Sequence, residues 1–421
     1  MLNFHFVCKR QMLRAAMAVS LLKNSSGLLG VSRGALSAAV RPASTGGVNV
    51  AQAGEVEVLP STRLTDLPRG RGGRSSFSGQ VVTVFGGTGF LGRYVVNRLG
   101  KTGSQIVATY RGDDYDVRHL KLAGDLGQVV FCHYSLKDMD SIRKAVRHSN
   151  IVINLVGRDF NTWNFKFDDV NNVGARAIAR ACREAGVKTL VHFSALNAAE
   201  NPEGHVLKGG SQFLKSKWRG EMAVREEFPD AVVFRPADMF GQEDRFTRYF
   251  VSLTRHQGKW MPLYRKGEHT IKQPVFVGDV ARAVEKAIRS PDSAGETYEA
   301  LGPRRYQLSE LVDWFHRVIR KKSDWGYMRY DMKWDPFLML RARANEMICP
   351  SWPIGTFVPD KVERECVTDQ PTGVPTLSDL GVPLTTMEER IMWELKPFKA
   401  GAYYEEQLDE FEKPAPPRVA V

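Results

Sequence analysis

The sequence predicts an α/β fold in which helices cover both faces of a doubly wound parallel sheet, with a smaller, mostly C-terminal second lobe. Short runs rich in β-branched and aromatic residues alternate with segments of helical spacing between Val81 and Phe193. These runs are continuously apolar, as strands are when helices pack on both faces of a parallel sheet. A glycine cluster between the first run and the first helix indicates where a ligand would bind.

Composition indicates a globular chain. Its 421 residues are 43% hydrophobic and 25% charged, enough for one large core or two modest ones. No run reaches the roughly 18 apolar residues that cross a bilayer, so no membrane-spanning helix is expected. Five cysteines are scattered without a C-x-x-C pair. This spacing of the cysteines favours a reducing compartment and predicts neither disulfides nor a metal site.

The first 45 residues are predicted to be a mitochondrial presequence. The segment 1–54 holds six Lys and Arg residues and no acidic residue, is rich in Ser, and is amphipathic around Gln11 to Leu22. Residues 46–78 are rich in Gly, Arg and Ser and have little apolar periodicity. We expect them to form an extended arm, either a disordered linker or a segment that orders on a partner.

The formal net charge of +12 does not indicate a nucleic-acid-binding protein. Half of this excess lies in the segment 1–54, and the other half is spread along the chain rather than concentrated in one patch. We therefore expect no nucleic-acid partner, and a solvated basic surface that faces anionic lipid or an acidic partner.

The first strand, Val81 to Phe85, leads into the glycine cluster, and helical spacing follows from Arg93 to Leu99. Glycines leave backbone N–H groups unobstructed at a helix N-terminus, whose partial positive charge suits a pyrophosphate. The cluster therefore predicts a Rossmann-like dinucleotide-binding domain over residues 79–240. The alternative is a glycine turn needed only for close packing of helix on strand. The predicted cofactor-binding residues of the turn are Gly86, Gly87, Thr88, Gly89, Phe90, Leu91 and Gly92.

The second strand, Ile106 to Tyr110, ends in Arg111 about twenty residues past the glycines. An acidic residue there would bind the ribose 2′-hydroxyl of NAD, whereas an arginine accommodates the 2′-phosphate of NADP. Arg111 therefore favours NADP(H). Asp113 and Asp114 follow closely, and Arg111 as an ordinary solvated loop residue is the alternative.

Further strands and helices complete the predicted sheet. Ligands in such sheets bind beyond the carboxyl ends of the strands, so the end of the fourth strand is expected to line the cofactor cleft at Leu155, Val156 and Gly157. The predicted strands are Val129 to Cys132, Ile151 to Val156, Thr189 to Phe193 and Ala231 to Arg235, and the predicted helices are Asp138 to His148 and Asp168 to Ala185.

Six stretches carry a resemblance to a known family: Gly86–Gly92, Asn154–Gly157, His192–Asn197, Lys217 with the following helix, Arg235–Gly241 and Pro274–Val280. On these the chain resembles the extended, atypical branch of the short-chain dehydrogenase/reductase superfamily. The resemblance implies that Ser194 orients a substrate, that Lys217 holds the nicotinamide ribose, and that Pro236 lies beside the cofactor. It also implies a tyrosine four residues before Lys217, which donates or accepts the proton at the substrate carbonyl.

That tyrosine is replaced by Phe213. Positions four apart share one helix face, so the ring at 213 and the ammonium at 217 are expected to point into the same cleft. A phenylalanine has no proton to give, and general acid–base catalysis contributes roughly 10²- to 10⁴-fold to a rate. We therefore predict no catalytic residues and a nucleotide that is bound but not used. Tyr134 and Ser135 stand where the family often has an aspartate near the adenine, so adenine contacts are in doubt.

Residues 241–421 are expected to form a C-terminal part that includes the smaller second lobe. Predicted elements are a short strand at Pro274 to Val277, a helix at Asp279 to Ser290 capped by Asp279, and a helix at Leu308 to Arg320. Residues 325–358 are rich in aromatic residues beside Lys and Arg. This segment is either packed core of the lobe or a surface that faces inner-membrane lipid or a membrane-embedded partner.

Four more stretches are specific to one family: Val156–Asp159, Phe240–Phe246, Ile271–Val277 and Asp360–Arg364. On these the chain resembles the nucleotide-binding accessory subunits of mitochondrial respiratory complex I. The resemblance implies a peripheral protein on the matrix side of the inner membrane, tightly bound structural NADPH, and other complex I subunits as partners at the junction of the two arms. Alternatives from the residues are an active NADP-dependent reductase or epimerase of the matrix, and a nucleotide sensor.

Overall fold

A computed structural model of the chain describes residues 68–321, 323–348, 353, 356–401 and 413–420. The predicted presequence and most of the predicted arm lie outside these residues. The last part of the arm, residues 68–78, is described and is not extended. The Arg69 N–H donates to the Phe77 carbonyl at 2.7 Å and the Phe77 N–H to the Arg69 carbonyl at 2.9 Å, which closes a short turn.

The predicted parallel sheet is confirmed. Its seven strands are β1 (Val81–Phe85), β2 (Gln105–Tyr110), β3 (Val129–His133), β4 (Ile151–Asn154), β5 (Thr189–Phe193), β6 (Val232–Pro236) and β11 (Thr297–Ala300). All are parallel, and their order across the sheet is β11-β6-β5-β4-β1-β2-β3. The six strands nearest the N-terminus were predicted, and the seventh was not.

Helices cover both faces of this sheet. Alternate residues of each strand point to opposite sides, so each strand supplies side chains to both faces. In β4, Ile151 and Ile153 belong to one apolar cluster and Val152 to the other. Both faces are therefore buried, as the continuously apolar strands predicted. The longer helices are α1 (Phe90–Lys101), α2 (Met139–Val146), α3 (Gly174–Ala185), α4 (Gln212–Glu227), α6 (Val277–Arg289), α7 (Leu308–Val318) and α8 (Pro336–Ile348).

Two predicted helix starts differ from the structure. Helix α1 begins at Phe90, three residues earlier than expected, because the last glycine of the turn is itself helical. Helix α6 begins at Val277, so Asp279 lies inside its first turn and does not cap it. The Asp279 carboxylate instead accepts from the Thr385 N–H at 2.6 Å, which joins α6 to a distant segment.

The remaining segments form small two-stranded pairs and short helices after β6. Strand β11 comes from this part of the chain and completes the large sheet, so segments on both sides of residue 240 build one layer. The division of the chain at 240 stays a prediction. The remaining elements are β7 (Met239–Phe240), α5 (Thr247–Val251), β8 (Trp260–Leu263), β9 (Ile271–Lys272), β10 (Val275–Phe276), β12 (Tyr306–Gln307), β13 (Met328–Asp331), α9 (Pro359–Cys366) and α10 (Met387–Glu394).

No helix among the described residues is long and apolar enough to cross a bilayer. Over the same part of the chain, no group of three or more His, Cys, Asp or Glu side chains is arranged to hold a metal ion.

Candidate functional site

The glycine turn between β1 and α1 has a geometry that only glycine permits. Gly86 has a φ of +81°, and a Cβ there would lie 3.1 Å from the Leu155 carbonyl oxygen. A Cβ on Gly92 would lie 2.4 Å from the Gly86 carbonyl oxygen, a distance that side chains do not tolerate. The turn is thus packed closely against the end of β4 and against its own helix. Its glycines place no side chain in the way of a ligand.

The N-terminus of α1 has no internal partner for its first N–H groups. Gly89 occupies the capping position and has no side chain to accept from them, and the first turn contains no acidic residue. Four N–H groups at a helix start lack intrahelical acceptors, and the helix dipole adds partial positive charge there. This end of the helix can therefore receive a phosphate group.

A cavity of about 330 Å³ opens at this turn. It lies where the sheet order reverses, since β1 has β2 on one side and β4 on the other. Ten of the predicted cofactor-binding residues line it: Gly86, Gly89, Phe90, Leu91, Gly92, Leu155, Gly157, Ser194, Lys217 and Pro236.

The other four predicted residues do not line this cavity. Val156 is 9% exposed and packs in the core of one sheet face, so its side chain points away from the cleft. Gly87 and Thr88 belong to the turn beside it, and Arg111 lies exposed beyond the end of β2. Tyr134, the residue that put adenine contacts in doubt, packs its ring on Phe85 in the core.

Ser194 and Lys217 both line the cavity, and Lys217 is bonded to the residue that precedes Ser194. The Lys217 ammonium donates to the Phe193 carbonyl at 2.9 Å, and burial lowers its pKa to about 8. The Ser194 side chain is 4% exposed, and its hydroxyl has no hydrogen-bond partner among the described residues. A buried hydroxyl without a partner is costly, which makes this atom available to a ligand.

Phe213 lines the same cavity as Lys217, so the two side chains share one cleft as the sequence predicted. Its ring lines the cavity, is 9% exposed, and has its centroid 5.9 Å from the Lys217 ammonium. Phe167 packs edge-on against it at 6.1 Å between ring centroids. The ring can therefore contribute apolar contact and cation–π attraction at this position but no proton.

A π-helical turn at Asp169–Val173 brings Asn171 to the same region. Its side-chain nitrogen donates to the Ser216 hydroxyl at 2.9 Å, while its buried side-chain oxygen lacks a partner among the described residues. Single π turns inside helices are common at functional sites. Sequence reasoning missed Asn171, because no spacing rule marks a π turn in advance.

Sequence reasoning also missed a group of basic residues. Arg158 lies four residues after the last residue of β4 and next to Gly157, where the rule for strand ends could have included it. Its pKa is lowered by burial and then by the neighbouring Arg111 and Arg245. Lys361 and Arg364 come from α9, about 150 residues away along the chain from Lys217, and nothing in the sequence signals that they reach the cleft. The basic residues that line the cavity are Arg158, Lys217, Arg245, Lys272, Lys361 and Arg364.

Residues 82–300 match the NAD dependent epimerase/dehydratase family. The rat protein named NADH dehydrogenase [ubiquinone] 1 alpha subcomplex subunit 9, mitochondrial, is 44% identical over 83% of this chain and 88% of its own length. The Neurospora crassa protein named NADH-ubiquinone oxidoreductase 40 kDa subunit, mitochondrial, is 37% identical over 80% of this chain and 84% of its own.

Solved structures share the fold at low sequence identity. The terminal R domain of the myxalamid biosynthetic pathway has a TM-score of 0.56 at 16% identity, covering 76% of this chain and 90% of its own. The triphenylmethane reductase of Citrobacter sp. has a TM-score of 0.55 at 17% identity, covering 75% of this chain and 99% of its own. The chain belongs to the NAD dependent epimerase/dehydratase family and, within it, to the family of mitochondrial proteins named subunit 9 of the NADH dehydrogenase [ubiquinone] 1 alpha subcomplex.

Proposed function

We propose that this chain is an accessory subunit of mitochondrial NADH:ubiquinone oxidoreductase that holds NADPH in its cleft and catalyses no reaction of its own. The observation that carries the proposal is Phe213, an apolar ring that lines the same cleft as the buried Ser194 and Lys217. The names of the rat and Neurospora relatives supply the enzyme to which the subunit belongs. Other subunits of that enzyme are then its partners.

The residues present fit a dinucleotide. The glycine turn, in which a Cβ on Gly92 would strike backbone, and the bare start of α1 suit a pyrophosphate. The unpartnered Ser194 hydroxyl and the Lys217 ammonium suit the ribose and amide at its other end. A bound NADPH supplies a hydride, but the chain offers no acid at 213 to protonate an acceptor. The nucleotide would instead stabilise the fold, as any ligand of the native state does.

NADPH rather than NADH is supported by two arginines. Arg111 and Arg158 lie close enough that Arg111 lowers the pKa of Arg158. Neither forms a salt bridge with a carboxylate among the described residues. Two neighbouring cations without a carboxylate between them would be stabilised by the 2′-phosphate that distinguishes NADPH.

Peripheral attachment on the matrix side of the inner membrane is part of the proposal. Support comes from the segment 325–358, where Trp334 is 83% exposed and Phe337 and Leu340 are each 61% exposed. These side chains are not packed core of the lobe. Aromatic residues beside arginines suit the membrane interface or a neighbouring subunit.

The test is to identify the nucleotide released when the purified respiratory complex and the isolated chain are denatured. We expect NADPH at about one per chain, and no NADPH oxidation by the isolated chain with any carbonyl compound. Sustained turnover with a carbonyl substrate would contradict the proposal, and so would a chain that carries no nucleotide.

A second candidate is an active NADP-dependent reductase or epimerase, and Tyr249 favours it. This tyrosine lines the same cavity, so a phenol is present although not at position 213. However, burial and then the Glu365 carboxylate raise its pKa well above the ordinary value, which makes it a poor acid–base catalyst near neutral pH. Migration on a native gel separates the candidates, because a free monomer or homodimer would favour the enzyme.

A further inference from the structure

Helix α9 contains the stretch Asp360-Lys-Val-Glu-Arg364. Although it lies about 150 residues beyond Phe213 in sequence, its polar side chains point toward the cleft and its walls. Lys361 donates from its ammonium to the Arg245 carbonyl at 2.7 Å, and Arg364 lines the cavity.

Two carboxylates of α9 fix the helix to the wall that holds Phe213. The Asp360 carboxylate accepts from the Gln212 N–H at 2.7 Å and from the Ser211 hydroxyl at 3.0 Å, at the start of α4. The Glu363 carboxylate accepts from three consecutive N–H groups at 2.6 to 2.8 Å: those of His205, Val206 and Leu207. Hydrogen bonds to ionised acceptors are the stronger kind. Helix α9 is therefore a fixed part of the site and not a loose lid.

This anchoring places the Arg364 guanidinium directly over the Phe213 ring. Its Cζ lies 4.1 Å from the ring centroid, which is a stacking distance. One guanidinium nitrogen, Nη2, donates to the Asp159 carbonyl at 3.4 Å, and another, Nη1, lies 3.7 Å from an Asp159 carboxylate oxygen. Planar groups in contact at about 4 Å leave no room for a third between them.

The Phe213 ring and the Arg364 guanidinium both line the cavity, so their contact lies at the wall of the cleft. Arg364 acts on the Lys217 ammonium strongly enough to lower its pKa, beside the larger effect of burial, while Asp159 acts in the opposite direction. Arg364, Asp159 and Lys217 therefore form one cluster of charges. Lys217 is the group that, in the proposed function, holds the nucleotide near its reactive end.

We propose that Arg364 determines the specificity of the cleft by occupying the space over residue 213 that a carbonyl substrate would need. The cleft then admits the nucleotide and no second reactant, so the missing tyrosine is only one of two obstacles to catalysis. The proposal rests on the proposed function in one respect, since it assumes that the nucleotide binds in this cleft.

Acrylamide, a small neutral amide that quenches reduced nicotinamide fluorescence on contact, serves as a probe of that space. The full chain is loaded with NADPH, and quenching is compared among wild type, Arg364→Met and Arg364→Ala. Arg341→Ala is the matched control, because Arg341 stacks on Phe357 at 5.6 Å and does not line the cavity. The methionine variant keeps an unbranched apolar stem, so α9 should stay in place through Asp360 and Glu363.

We expect bound NADPH to be protected in wild type and in Arg341→Ala, and the quenching constant to rise severalfold in both Arg364 variants, with NADPH still bound. Equal quenching in wild type and in folded Arg364→Met that retains NADPH would overturn the inference while leaving the proposed function intact. A wild-type chain that binds no NADPH would overturn the proposed function and this inference with it. A melting curve of each variant identifies any that fail to fold.

Discussion

Arg255 and Glu365 form an ion pair that is closed to solvent on both sides. The Arg255 side chain is fully buried, the Glu365 side chain is 5% exposed, and the Arg255 Nε donates to a carboxylate oxygen at 3.2 Å. The pair joins the segment after α5 to α9, the helix that also contains Arg364. Removing one partner of a buried pair leaves an uncompensated charge in the interior.

We therefore expect Glu365→Gln to lower the free energy of unfolding by about 3–5 kcal/mol, measured by urea denaturation. The control is Glu226→Gln, whose partner Arg176 is exposed, and which should change it by less than about 1 kcal/mol. Similar decreases in the free energy of unfolding in the two variants would mean that the buried pair stabilises the fold no more than a surface pair does.

Some residues of the site can be predicted from the sequence and others cannot. The glycine turn and Phe213 are recognisable because local rules fix them: a strand followed by glycines, and a position four residues before Lys217. Arg364 and Glu365 are not recognisable, because a contact across 110 or 150 residues depends on how the second lobe folds back. The same reason explains strand β11, whose place at the sheet edge depends on pairing with β6 and not on its own four residues.

Gly92→Ala should damage both the fold and nucleotide binding. The new Cβ would lie 2.4 Å from the Gly86 carbonyl oxygen and 2.6 Å from that of Gly87, and backbone atoms cannot move aside cheaply. Overpacking of this kind costs about 1–3 kcal/mol. Gly87→Ala is the control for stability, because its Cβ would meet the Val96 side chain at an ordinary 3.6 Å. Equal melting temperatures for the two variants would contradict the close backbone contacts at Gly92.

Arg158→Ala tests the choice of NADPH. Arg158 stacks on Phe160 at 5.1 Å but pairs with no carboxylate among the described residues, so its loss should not weaken the fold. A hydrogen bond to a charged group contributes about 1.5–3 kcal/mol, so NADPH affinity should fall about 10- to 100-fold. NADH affinity should stay the same, as measured by titration of nicotinamide fluorescence. A parallel loss of both affinities would instead indicate a general effect on the cleft.

Lys217 makes the stability of the ligand-free chain depend on pH, and the direction of this dependence follows from the pKa of its ammonium. Burial lowers that pKa to about 8 in the folded chain, against 10.5 for an ordinary lysine. Below pH 8 the ammonium is charged in both states, and the folded state bears the full cost of burying it. Between pH 8 and 10.5 the folded chain releases this proton while the unfolded chain keeps it. The contribution of Lys217 to stability therefore rises with pH through this window.

From pH 8 to pH 9 the gain from Lys217 should be about 1 kcal/mol in the free energy of unfolding. Lys361, whose pKa burial likewise lowers to about 8, adds in the same direction, so single and double variants separate the two. Lys217→Met should remove the Lys217 share of the slope, Lys217→Met/Lys361→Met should remove both shares, and the exposed Lys188→Met serves as the control. Because phosphate-bearing NADPH favours the charged ammonium, its affinity should fall over the same range in wild type and fall less steeply in Lys217→Met, where Lys361 still titrates. A slope unchanged by Lys217→Met would show that this ammonium is not the group that titrates.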